Sequence, residues 1–554
     1  MRLIMRVLFL LCLLVPLAVY AQTASDIAPG DKMVVAFDGQ PLTLRSDAFV
    51  SAAILMQFVP GSPLTITSGP KQIDQLTWWR VRTYWGQGWV GVGDSAQLIP
   101  SDSVLLKQVI IDASDAINTS PTANAYVARG LSYFDQQQFA SAVKDFTAAI
   151  ELVPENAFFY DLRGKVYEQQ QNYGAALTDY GRAIEFAPDV AVYYDDRGYI
   201  YAVERDYTSA LADYGTGIQM SPDFATLYNN RGAAYRDVSD IDRALADFTT
   251  AVQLDPLYAY AYRNRGLIYR DVQGNDDKAY QDFMQAINAD PGFGAPHNDI
   301  GVIYSEQNQT PKALAEFNTA ITLDPTYAYA YVNRGGLYGK MGNYNDALAD
   351  LNKAIELKPD LADAYYNLGI IYRRVGQLDK AIIDDTMALN YGYSNPLEIY
   401  YNRGLAYYDT ANYQQAIDDF TNALNYNPYF TRALIWRGNA YDNIGDSQSA
   451  IADYNTVIQI DPTDEYAYYN RGVDYANNGM PEQAISDFKR AIALSPGDAE
   501  AYHGLGETYL NLQLSDDAMK AYEQYIALSP NPDQGIVQMV DIYHSEHPAT
   551  TDQP

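Results

Sequence analysis

The sequence predicts a mostly α chain, an α-solenoid of twelve helix pairs preceded by a small all-β, barrel-like domain. Three observations predict it. A glycine returns at a spacing of 34 or 35 residues: Gly130, Gly164, Gly198, Gly232, Gly266, Gly301, Gly335, Gly369, Gly404, Gly438, Gly472 and Gly506. Three residues after each stands a tyrosine, from Tyr133 to Tyr509, and twelve residues after comes an alanine, from Ala142 to Ala518, one residue late at Ala279. Between residues 31 and 100 the texture changes to short β-rich runs separated by Gly, Pro, Ser and Asp. A fixed period of this length marks a stack of supersecondary units, none of which can bury its apolar face alone.

In chain order, Met1 to Ala21 reads as a secretory signal: Arg2 and Arg6, an apolar run from Val7 to Ala18, and Val19, Tyr20, Ala21 as a cleavage site before Gln22. The run is short for a bilayer span. The expectation is a secreted or extracytoplasmic protein, in periplasm or at the cell surface, with no membrane insertion after cleavage. Cys12 lies within that segment and is the one cysteine of the chain, so the mature protein would have neither disulfide nor thiol chemistry.

Residues 22–100 form the predicted β domain. The order LTLRS, FVPGSPLTI, WWRVRTYWGQGWVGV resembles a bacterial Src-homology-3-like domain, although Asp47, Ala48 and Phe49 replace the usual small residues. Some members of that family bind cell-wall peptide or other polymers and others are spacers. Trp78, Trp79, Trp85 and Trp89 fit either a core or a binding face. Residues 101–122 read as a polar linker, and residues 531–554 as a capping helix and tail, with Ile536, Val540 and Tyr543 at helical spacing.

Residues 123–530 carry the repeats. With the glycine counted as position eight, aromatic and small residues at positions four, eight and eleven fall on one face of a first helix, and positions twenty, twenty-four and twenty-seven do so in a second. Small residues let the helix axes approach, tyrosines fill the wider gaps, and a proline near position thirty-two ends the second helix. The unit AYVNRGGLYGKMGNYNDALADLNKAIELKP, residues 330–359, resembles the tetratricopeptide repeat. That resemblance implies twelve tetratricopeptide helix pairs in a right-handed α-solenoid, acting as a scaffold that binds proteins or extended peptides. Departures cluster at Asp385, where an aromatic belongs, and in the longer stretch NYGYSN before Pro396, predicting a looser joint there.

The chemistry expected is binding. With 37 basic and 69 acidic residues the net charge is −32, which disfavours nucleic acid and anionic lipid. The four histidines, His297, His503, His544 and His547, form no metal cluster, and no nucleophile, zinc or phosphate motif is present, so no catalytic residue, metal or cofactor is expected. Arginine precedes the glycine in nine repeats, each with an aspartate at position twenty-three, which predicts a ladder of ion pairs.

The family resemblance places ligand contacts at positions two, five, nine, twelve and thirteen. Those positions include Tyr260, Arg263, Arg270, Tyr329, Lys340, Tyr366, Arg373, Arg374, Tyr401, Tyr466 and Tyr469, with Arg236 at the edge. A basic, tyrosine-lined groove would attract an extended acidic peptide or an anionic polymer, unless its arginines pair with neighbours such as Asp237 and Asp271. The alternative is binding of cell-envelope polymer, peptidoglycan or polysaccharide, through the β domain, with the repeats as spacer.

Overall fold

The computed structural model describes residues 103–547 and, before them, the backbone of seven strands between residues 32 and 100. These strands, β1 (Lys32–Val35), β2 (Leu42–Arg45), β3 (Ile54–Phe58), β4 (Pro63–Ile73), β5 (Leu76–Thr83), β6 (Gly86–Val92) and β7 (Leu98–Pro100), pair antiparallel in the order β3-β2-β6-β5-β4-β1-β7. The signal segment, the tryptophan face and the tail beyond residue 547 lie outside the described residues. No helix among the described residues is long and apolar enough to cross a membrane.

Twenty-six helices follow, and the chain divides into two compact bodies, Met1–Asp324 and Pro325–Pro554. Each body carries six repeats, and each repeat is a first helix of 13 or 14 residues and a second of the same length, as in Ala225–Asp237 with Ile241–Leu254. The segment expected as a linker is instead mostly helical, Ser103–Thr119. The reason lies in its sequence: Leu106, Val109, Ile110, Ala113 and Ile117 recur at helical spacing, and Ala113 is fully buried. It stands where a preceding second helix would, because its Ser114 hydroxyl accepts from Arg129 at 3.1 Å as Thr147 does from Arg163 at 3.0 Å one repeat later.

The periodic residues make one recurring contact. A Cβ added to Gly404 would lie 2.8 Å from the Phe420 ring, and one on Gly164 would lie 2.7 Å from Tyr180. The glycine therefore sets how closely the two helices of a repeat approach. Gly215, in the middle of Tyr207–Met220, faces open space instead. Gly404→Ala is expected to lose about 1–2 kcal/mol, overpacking outweighing the helix-propensity gain, while Gly215→Ala gains about 0.5–1 kcal/mol. Denaturant midpoints of the two variants moving in the same direction would contradict this packing account.

In several repeats the tyrosine at position four fastens its helix to the turn before it. Tyr160, Tyr194 and Tyr365 donate to the carbonyls of Pro154, Pro188 and Pro359 at 3.0, 3.1 and 3.1 Å. At the end of the second body the alanine of position twenty-seven becomes Tyr525, whose hydroxyl accepts from the Asp533 backbone at 3.1 Å. No further repeat needs to approach there, so a large residue fits. The last helix, Gln534–Glu546, buries Val540 against Ala518, Met519 and Tyr522.

At the expected loose joint the extra residues fold back. Tyr391 stacks on Tyr365 at 5.5 Å and Tyr393 on Tyr366 at 4.3 Å, ring centroid to centroid. The weak point is Asp385, 1% exposed, whose two carboxylate oxygens have no hydrogen-bond partner.

Candidate functional site

Nine arginine–aspartate pairs join the two helices of their repeats, Arg129–Asp145, Arg163–Asp179, Arg197–Asp213, Arg231–Asp247, Arg265–Asp282, Arg334–Asp350, Arg403–Asp419, Arg437–Asp453 and Arg471–Asp487, each at 2.7 or 2.8 Å. Both aspartate oxygens are held, as in Arg231 Nε to Asp247 Oδ2 and Nη2 to Oδ1. Tyrosines lie to either side of the guanidinium, Tyr228 at 5.6 Å and Tyr235 at 5.9 Å in that repeat. The aspartates are buried and the arginines mostly so, which makes the ladder a device of repeat geometry and leaves binding to other faces.

In the first body, positions five and six of consecutive first helices, joined by Lys165 at position nine, form a polar track. Lys165 pairs with Asp196, Asn230 donates to Asp195 at 2.9 Å, Asn264 donates to Asn229 at 2.9 Å, and Arg263 Nε donates to Asp299 at 2.6 Å. Burial, then the Asp196 charge, pushes the Asp195 carboxyl up to about 7. Burial alone would lower the Lys165 ammonium; the charges of Asp196, Glu168 and Asp161 hold it above its ordinary value. This track was legible as adjacent polar residues, Asp195 and Asp196, Asn229 and Asn230, Asn298 and Asp299, returning with the period of the glycines.

The candidate cations of this body are engaged within it. Arg263 is held by Asp299, Arg270 meets Asp271 at 2.6 Å, and Arg236 meets Asp237 at 2.9 Å. Tyr260 packs on Phe293 at 4.6 Å. The basic stretch expected here is thus compensated by its own carboxylates.

In the second body the candidates separate. Tyr329 accepts from Lys358 at 3.0 Å, Lys340 and Arg374 are exposed, and Arg373 is half-buried. Tyr366 is taken up by its stack with Tyr393. Tyr401, Tyr466 and Tyr469 do converge, on a cavity of about 710 Å³ built by the first helices of repeats nine to twelve, Pro396–Asp409, Thr431–Asn443, Glu465–Asn477 and Ala499–Asn511. Tyr401 is only 7% exposed and meets Phe430 at 5.0 Å, so it is chiefly a core ring with one edge on the cavity. Tyr466 is 65% exposed, and Tyr469 packs on Phe488 at 6.1 Å.

The sequence reading missed Arg432, Trp436, Glu465 and Glu500 in this cavity. Arg432 and Glu500 stand at position two, which would have shown them had that position been followed through repeats ten and twelve. Arg432 lies over the Tyr401 and Phe430 rings at 5.2 and 5.0 Å. Asp498 also lines the cavity, where its side chain caps the last repeat's first helix by accepting from the Glu500 backbone at 3.0 Å.

Among the described residues no group of three His, Cys, Asp or Glu side chains is placed to hold a metal ion. His297 meets Glu316 and His544 meets Glu523, each at 2.7 Å. In repeats ten and eleven Asp442 faces Asp474, whose burial and that neighbouring carboxylate push its carboxyl up to about 8.

Tetratricopeptide-repeat models match residues 127–191, 230–292, 401–465, 465–498 and 499–532, and a repeat model of the same kind matches 301–342 and 340–376, together more than half of the chain. A comparison with curated proteins found no match. Among solved structures, the chain is similar to YrrB, described as a TPR protein with an unusual peptide-binding site, at 28% identity over 34% of this chain and 96% of that one, with a TM-score of 0.32. It is similar to the MamA protein at 25% identity over 30% and 90%, TM-score 0.29. A tetratricopeptide repeat protein from Parabacteroides merdae matches at 19% identity over 45% and 98%, TM-score 0.34.

Proposed function

This chain belongs to the tetratricopeptide-repeat family, and from that premise we propose a non-enzymatic scaffold that binds a protein through an extended segment laid on the first-helix face of its repeats. The observation that carries this reading is the cavity of repeats nine to twelve, where four consecutive first helices line one space and repeats ten to twelve add to it Arg432, Trp436, Glu465, Tyr466 and Glu500, which the core does not consume. The ion-pair ladder supports it indirectly, since nine rigid rungs hold neighbouring helices in register and leave less conformational entropy to lose on binding. Export through residues 1–21 is part of the proposal, and recovery of secreted chain beginning at Gln22 tests it.

A photoreactive amino acid placed at Tyr466, on a first helix, or at Ile383, on a second, tests the face; the two positions are 65% and 60% exposed. The expected result is a discrete cross-linked partner from position 466 and none from 383. Equal cross-linking from both, or cross-linking from 383 alone, would overturn the reading. In the alternative reading, residues 22–100 hold cell-wall polymer and the repeats are a spacer; then those residues sediment with purified wall material and position 466 cross-links nothing.

A further inference from the structure

We propose that the cavity of repeats nine to twelve receives a lysine or arginine side chain carried on an extended peptide segment. The inference rests on the scaffold reading and reverses the charge expected for the partner from sequence. Its basis is the charge and surface of the walls. Glu465, Asp498 and Glu500 enter from the repeats eleven and twelve side, against the single guanidinium of Arg432 from repeat ten. Among the described residues neither Glu465 nor Glu500 makes an ion pair, and with Asp498 they outnumber the one guanidinium lining the cavity.

Arg432 is already seated on the Tyr401 and Phe430 rings, and its remaining donors suit a backbone carbonyl of the bound segment. An acidic side chain would meet three carboxylates there; a basic one is attracted by them. The rings add to this. Trp436, Tyr466 and Tyr469 offer π faces and edges to an alkylammonium or guanidinium group and apolar contact to its methylene stem. The volume, about 710 Å³, exceeds one side chain and fits a short stretch of peptide. The net charge of −32 brings basic partners to the site faster than acidic ones.

The test uses the full chain and a random ten-residue peptide library displayed on phage. Peptides eluted are resynthesised with a fluorophore, and each lysine or arginine is replaced in turn by glutamine and by glutamate. The expected result is enrichment of lysine or arginine, with binding weakened about tenfold or more by Glu465→Gln with Glu500→Gln, and by the peptide's own Lys→Gln change. Glu500 is exposed and Glu465 half-buried, both outside the core, so unaltered helical circular dichroism accompanies the loss. Peptides that bind, are lost with Tyr466→Ala, and carry neutral or acidic residues in place of the cation would overturn this inference and leave the scaffold reading standing. No peptide binding at all, together with no cross-link from position 466, would overturn both.

Discussion

Replacing Asp385 by leucine is expected to slow amide exchange across repeat eight about 100-fold at pH 7, the equivalent of about 3 kcal/mol of local stability. The position is a core position in every other repeat: Gly335 packs on Leu351 and Gly404 on Phe420, whereas Gly369 packs on the Asp385 carboxylate. That carboxylate is buried and without hydrogen-bond partners. Burial pushes its pKa well above the ordinary carboxylate range; Arg403 and Arg373 act downward, Asp384 and Asp419 upward, and burial dominates.

The sign of the pH dependence follows. The folded carboxyl holds its proton above the unfolded pKa of about 4, so the folded state binds more protons and stability falls as pH rises from there. Asp385→Asn should remove most of this pH dependence without adding bulk, and Asp385→Leu should remove it and raise stability. A long array of repeats need not unfold in one step, so exchange of Leu378–Asn390 measured by mass spectrometry between about pH 5 and 8, corrected for the intrinsic pH dependence of amide exchange, is the appropriate readout. Faster exchange in the leucine variant would show that the carboxylate has a partner or a purpose in the fold.

Breaking one rung of the ladder is the second large effect expected. Asp247→Ala leaves Arg231 between Tyr228 and Tyr235 with its charge partly buried and its two strongest hydrogen bonds gone. A guanidinium keeps its proton at neutral pH even without a partner, so the stranded Arg231 cannot escape by losing its charge. The expected cost is about 3 kcal/mol, while Arg231→Leu with Asp247→Leu should stay within about 1 kcal/mol of the native chain. Exchange in Ala225–Asp237 and Ile241–Leu254 reports both. Equal losses in the single and double variants would mean that the pair itself, and not the stranded charge, supplies the stability.

The fold was legible because the glycine, tyrosine and alanine of each repeat answer to one packing contact that the chain repeats in phase. A ring that would collide with any Cβ at Gly130 or Gly301 demands glycine, and that demand shows in sequence. The helix Ser103–Thr119 has its apolar spacing in the sequence but lies outside the glycine period, so it read as a linker, and the tertiary bond from Arg129 is what marks it as a half repeat.

The candidate site was legible only in part. Positions two and five point to the cavity through Tyr401, Tyr466 and Tyr469, but charge could not be read off position alone. Arg263, Arg270 and Arg236 carry cationic charge in sequence and are neutralised in space by Asp299, Asp271 and Asp237, two of which are simply the next residue. Glu465 and Glu500 are two among 69 acidic residues until the fold places them around one cavity.

The measurement that tests the central claim most directly is amide exchange of the full chain with and without a bound lysine-containing peptide from the selection. The account predicts slowed exchange at the peptide-facing first helices Thr431–Asn443 and Glu465–Asn477, with the second helices Ser447–Ile460 and Pro481–Leu494 unchanged. Protection confined to second helices, or to the strands before residue 101, would contradict it.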